Sequence, residues 1–119
     1  MSQEIMNLIR RHCATLKEEF AEADAKFRAL SAGGSQAEID AVTAQAHKIK
    51  GSSGTLGFGA ISRRAEEYEH ALRCASAGHL TVQQKASLGQ MHDSLGRTIA
   101  DIAPEQSALY QRFQSQVGS

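Results

Sequence analysis

The sequence has no tryptophan, and aromatic residues make up only 5% of its 119 positions. Runs of β-branched residues are absent as well, and Ala and Leu are plentiful, a balance that favours helices over sheets. Proline occurs once, at Pro104. Cysteine is limited to Cys13 and Cys74, which is too few for a disulfide framework, so both are expected to be free thiols in a reducing cytoplasm. No apolar run approaches the roughly 20 residues of a membrane span. The N-terminus lacks the apolar core of a signal peptide, so the expectation is a cytoplasmic protein without a membrane partner. Neither sign of charge is in excess, with 13 basic against 13 acidic residues. A nucleic-acid binder of this size would carry a basic excess or a dense basic stripe, so no nucleic-acid partner is expected.

What is present is helical periodicity. Apolar residues are 41% and charged residues 22% of the chain, ordinary values for one globular domain, here expected over residues 1–119. From Gln3 to Leu30, the residues Ile5, Leu8, Ile9, Leu16, Phe20, Ala23, Phe27 and Leu30 recur at three- and four-residue spacings, and Gly33-Gly34 closes that segment. Ser35 and Glu38 form a capping-box pattern opening a second helix to about Leu56, with Ile39, Val42, Ala46, Ile49 and Leu56 on its apolar side. A third helix is expected from Ala60 to Ala77, with Ile61, Ala65, Tyr68, Leu72 and Ala75 inward and Gly78 as its stop. Thr81 and Gln84 cap a fourth, whose stripe is Leu88, Met91, Leu95, Thr98 and Ile102, and Pro104 ends it. A short last helix begins at Pro104 and packs Leu109 and Phe113. Four amphipathic helices on short turns bury their stripes as an antiparallel up-down four-helix bundle, so the fold class is all-α.

The second helix breaks its own rules. Gly51 and Gly54 fall where it should still be running, and each costs about 1 kcal/mol relative to Ala. At about 100° per residue, His47 lies roughly 130° from the centre of the apolar stripe, Gly51 almost opposite the stripe, and Gly54 on the side of His47. The histidine is therefore expected to be exposed, with missing side chains beside it, so that another molecule can approach closely. Between Ala41 and Ala65 there is no Asp or Glu, while Lys48, Lys50, Arg63 and Arg64 give a local formal charge of +4. Lys50 follows His47 by one turn and can reach a group attached to the imidazole. Such a setting suits a phosphoryl group and a partner with an acidic pocket.

These residues resemble the histidine-containing phosphotransfer (HPt) family, whose motif is His-x-x-Lys-Gly, then small residues, another Gly, and a second helix ending in an apolar-Glu pair. Here the motif reads His47, Lys50, Gly51, Ser52, Ser53 and Gly57, followed by Ile61, Ala65, Tyr68 and Glu69. Two departures are Tyr68, where the family more often has Leu, and Gly59, which loosens the hairpin turn. The resemblance implies that His47 accepts a phosphoryl group from a receiver aspartate and passes it on, that Lys50 steadies the phosphoryl oxygens, and that Gly51 lets the receiver approach. Gly54, Lys48, Arg63 and Arg64 complete the expected docking surface. It further implies a carrier without kinase activity of its own or resident cofactor, with Mg²⁺ brought by the receiver. The partners would be response-regulator receivers, a hybrid histidine kinase, or both. The Gly-Thr-Leu-Gly-Phe stretch is also similar to the phosphoacceptor domain of chemotaxis-type kinases, which makes a piece of a larger kinase the alternative to a free-standing carrier. A helical module that binds receivers without being phosphorylated is a further alternative.

Other candidates carry less. His70 and Cys74 are four apart and could share a metal, but no second pair accompanies them, so no metal site is expected. His12, His79 and His92 have no evident partners. The glycine-rich stretch lacks the Gly-Lys-Ser/Thr spacing of a P-loop. The first helix, whose apolar residues depart from one strict heptad, could serve dimerisation, although a monomer is expected.

Overall fold

The computed structural model describes residues 2–30, 33–75 and 80–118. Helix α1 spans Ser2–Arg28, α2 Gln36–Thr55, α3 Gly59–Cys74 and α4 Val82–Ala100. A short 3-10 turn at Pro104–Gln106 leads into α5, Ala108–Gly118. The first four helices pack in a closed ring, α1 on α2, α2 on α3, α3 on α4 and α4 on α1, and α5 lies against α1. The architecture is the expected all-α bundle with an extra C-terminal helix. Among the described residues no helix is long and apolar enough to cross a membrane.

Local chemistry sets the helix starts. Ser35 Oγ accepts from the Glu38 amide at 3.1 Å, and the Glu38 carboxylate accepts from the Ser35 amide at 2.9 Å. Thr81 and Gln84 repeat the arrangement at α4, at 3.0 and 2.9 Å. Each pair satisfies two amides that the first helical turn leaves without partners. Helix α3 ends at Cys74 rather than Ala77, because Ala75 adopts an extended backbone (φ −72°, ψ 136°). Gly78, expected as its stop, lies outside the described residues, as does His79.

The core holds Ile9, Leu16, Ile49, Ile61, Leu72, Leu95 and Ile99 almost wholly buried. Each such side chain contributes about 1.5–3 kcal/mol relative to an exposed one. The stripes differ from expectation at two places. On α1, Leu8 is 46% exposed and Met6 takes the inward position. On α4, the buried line is Leu88, His92, Leu95 and Ile99, while Met91 is 39% exposed and Thr98 half-buried.

His92 occupies that inward position because its polar atoms are satisfied inside. Its ring is stacked between Phe20 and Phe27 of α1, with centroids 4.7 and 4.6 Å away. Its Nε2 meets Asp24 Oδ1 at 2.8 Å, and its Nδ1 meets the Tyr68 hydroxyl at 3.1 Å. A carboxylate accepts only, so Nε2 carries the hydrogen, and in the neutral ring the Tyr68 hydroxyl donates to Nδ1. Gly96, one turn beyond His92, leaves room for the Phe20 ring, whereas a Cβ on Gly89 would make only ordinary contact with Phe27, at 3.8 Å. A Cβ on Gly96 would come within 2.6 Å of Phe20. The chain Asp24–His92–Tyr68 thus ties α1, α4 and α3 together and fixes the rotation of α3 about its axis.

The turn between α2 and α3 receives the C-terminal segment. Gly57 has φ +86°, a conformation that favours glycine, and a Cβ there would lie 2.8 Å from the Leu109 amide nitrogen. The Gly57 carbonyl accepts from the Ala108 amide at 3.0 Å, and the Leu56 carbonyl from the Ser107 hydroxyl at 2.6 Å. Tyr110 anchors α5 from its buried position, its hydroxyl accepting from Arg10 at 2.8 Å. Leu109 and Phe113 are only half-buried beside it.

Candidate functional site

Helix α2 presents His47 to solvent, as the wheel requires, with 62% of its side chain exposed. The neighbouring helix then supplies what the local sequence lacks. Because Tyr68 is turned into the core, Glu69, about 100° further round α3, faces α2. Its carboxylate is 6% exposed, and its Oε2 lies 2.9 Å from His47 Nδ1. Burial would raise the proton affinity of this carboxyl, but hydrogen bonds from Arg73 and His47 outweigh burial and hold it below its ordinary value. Glu69 is therefore an ionised acceptor. His47 therefore donates through Nδ1–H, and in the neutral ring Nε2 is the nitrogen that carries the lone pair.

The same carboxylate gathers the other charged groups. Arg73 donates to Oε2 from Nη2 at 2.6 Å and from Nε at 3.1 Å. Lys50 Nζ lies 3.7 Å from Glu69 Oε1 and 3.9 Å from Glu66 Oε1. The expected basic patch free of acids is thus overturned: the stretch from Ala41 to Ala65 has no carboxylate of its own, but α3 packs two against it. Lys50 rests on those carboxylates, one helical turn from the imidazole.

The two helix glycines prove unlike each other. Around a Cβ built on Gly51 there is no heavy atom within 4 Å, so this position is open space beside His47. At Gly54 the missing side chain points at α3, where a Cβ would meet Ser62 Oγ at 3.1 Å. That hydroxyl donates to the Lys50 carbonyl at 3.2 Å. Gly54 therefore gives clearance between α2 and α3, which corrects the expectation that both glycines clear space around the histidine. Gly57 serves the turn and the docking of α5.

Among the remaining expected docking residues, Lys48 is exposed on α2, one position on from His47, and Arg63 is exposed on α3. Arg64 is not brought to His47: it reaches the opposite flank of α3 and donates to Ser94 of α4 at 2.9 Å. Arg73 and Glu66 were not singled out in the sequence. The one available signal was the spacing of Glu69 and Arg73, four residues apart on a helix. His70 Nε2 and Cys74 Sγ are 3.7 Å apart, and no group of three or more candidate metal ligands occurs among the described residues.

Comparison with curated proteins and with solved structures found no match. The family comparison did, and its matched span takes in the whole four-helix ring that carries His47, Lys50, Gly51 and Glu69. Residues 3–100 match the model of the Hpt domain, the domain of phosphotransfer in two-component signalling, and the chain belongs to that family.

Proposed function

We propose that this chain relays a phosphoryl group between the aspartates of receiver domains, through His47, in a two-component phosphorelay. The observation that carries the reading is the polarity of the imidazole: Nδ1 is engaged by a buried, ionised Glu69 while the side chain is 62% exposed, so in the neutral ring Nε2 is the nitrogen left to attack. In the forward step Nε2 attacks the phosphorus of an aspartyl phosphate. The N–P bond forms, the O–P bond breaks, and the aspartate carboxylate leaves with the electron pair. The ring keeps its Nδ1–H and becomes cationic, and Glu69 opposes that charge. In the reverse step the ring departs as a neutral imidazole, so transfer can run either way.

Other residues have supporting roles in this reading. Lys50 turns from Glu66 and Glu69 to the phosphoryl oxygens, where a charge-assisted hydrogen bond is worth about 1.5–3 kcal/mol. The open space at Gly51 admits the receiver's backbone. Lys48 and Arg63 face the partner's acidic pocket, and the receiver brings the Mg²⁺. The chain itself is a carrier without kinase activity, served by receivers, a hybrid kinase, or both.

The test is incubation with a phosphorylated receiver. Native protein takes up acid-labile, alkali-stable label, and His47→Gln takes up none while melting close to the native temperature. Label on another histidine in the variant, or none on native protein, removes His47 from the role. The second outcome favours a receiver-binding module that is not phosphorylated.

A further inference from the structure

Oxygen Oε2 of Glu69 is shared. It meets His47 Nδ1 at 2.9 Å and accepts two N–H groups of one guanidinium, Arg73 Nη2 at 2.6 Å and Nε at 3.1 Å. An i,i+4 Arg–Glu pair with the arginine 60% exposed is ordinarily a minor surface contact. Here the acceptor is buried, and the oxygen that Arg73 holds is the one that polarises the histidine. Each donor on a carboxylate oxygen draws off negative charge that the others would otherwise feel.

We propose that Arg73 is a positioning residue that sets how readily His47 gives up its phosphoryl group, by pinning Glu69 and taking part of its charge. The inference rests on His47 being the phosphoryl acceptor. After N–P bond formation and departure of the aspartate carboxylate, the ring retains Nδ1–H and carries a positive charge. Glu69 opposes that charge, and Arg73 weakens the opposition. Phosphohistidine is then held less firmly and returns its phosphoryl group more easily. Without Arg73 the full carboxylate charge faces the ring, and the balance moves toward phosphohistidine.

The groups around His47 are Lys48 and Lys50 of α2 and Glu66, Glu69, His70 and Arg73 of α3. All but Lys48 line one shallow depression of about 200 Å³. Of these groups, only Arg73 shares an oxygen with His47. Substituting it therefore isolates the effect.

The test uses the full chain as Arg73→Gln and Arg73→Lys, each also combined with Glu69→Gln, with melting curves for every variant. The His47 ring is followed by residue-resolved NMR over a pH series, which needs no receiver. Its titration midpoint should rise in Arg73→Gln. The Lys variant, which keeps the charge, should move it back toward native. In the Glu69→Gln background the Arg73→Gln shift should largely disappear. With a phosphorylated receiver, the limb of the acceptance rate that falls at low pH should move upward to match, and the equilibrium should shift several-fold toward phosphorylated protein. An unmoved midpoint overturns the proposal, as does a shift of the same size in the Glu69→Gln background, or lost stability as the only effect. Native protein that takes no label overturns the relay reading and the proposal with it. Native labelling with an unmoved midpoint overturns the proposal alone.

Discussion

The imidazole of His92 lies flat against the ring of Phe27, with centroids 4.6 Å apart and planes inclined by 13°. Phe20 covers the opposite face, and Gly96 is the floor on which the Phe20 ring rests. A glycine that seats an aromatic ring and a glycine that faces open solvent should answer the same substitution with opposite signs.

Gly96→Ala should therefore lower stability. The added methyl meets Phe20 at 2.6 Å, and the ring cannot withdraw freely because it is stacked on His92. Overpacking of this kind costs about 1–3 kcal/mol, more than the roughly 1 kcal/mol that Ala gains over Gly in a helix. Gly51→Ala should raise stability by up to about 1 kcal/mol, since nothing stands near its Cβ. Chemical denaturation of the two variants beside native protein reads both signs, and equal signs would contradict the packing described for Gly96.

At Gly51 a larger residue separates stability from docking. Gly51→Leu should melt at or above the native temperature and bind a receiver more weakly, because the branched side chain fills the open space one turn from His47. Calorimetric melting and titration with one receiver on the same sample give both quantities. A destabilised variant would return this glycine to a packing role.

Lys50→Ala should slow transfer without abolishing it. Its ammonium must leave Glu66 and Glu69 to reach the phosphoryl group, so the net loss belongs at the low end of the charge-assisted range. That corresponds to about tenfold in rate. Rapid-mixing kinetics with a phosphorylated receiver would show it, and an unchanged rate would exclude Lys50 from the transfer step.

Acid should destabilise the fold through two carboxylates. Hydrogen bonds from Arg28 and His92 lower the affinity of Asp24 for its proton, and those from Arg73 and His47 overcome burial at Glu69. A group depressed in the folded state contributes stability that is present above its unfolded pKa, about 4 for these residues, and lost as pH falls through the folded value. Melting temperature should thus decline below about pH 4. Asp24→Asn or Glu69→Gln should flatten that decline. The Asp24 share is reduced by solvent, because a third of its side chain is exposed. A decline as steep in the double variant as in native protein would assign acid sensitivity to other groups.

The helices, their caps and the exposure of His47 were legible because each is a property of residues close in the chain. Spacing places His47 opposite Ile49 and Val42, and Ser35 and Thr81 find their cap partners three residues on. Only hydropathy spoke for the α4 stripe, and there it misled: His92 reads as a surface residue until Asp24, Tyr68 and two phenyl rings converge on it from α1 and α3. Glu69 stood in the family motif, but its contact with His47 was hidden for the same reason. Glu69 is 22 positions away, and whether it faces α2 or solvent depends on how α3 is rotated, which the Tyr68–His92–Asp24 chain decides. The two helix glycines looked alike because a wheel gives the direction of a missing side chain and not what stands in its path. Local propensity and periodicity determined the bundle and the outward histidine. The partners of that histidine, and the difference between Gly51 and Gly54, come from packing between helices, because contacts across a bundle depend on the relative rotation of whole elements.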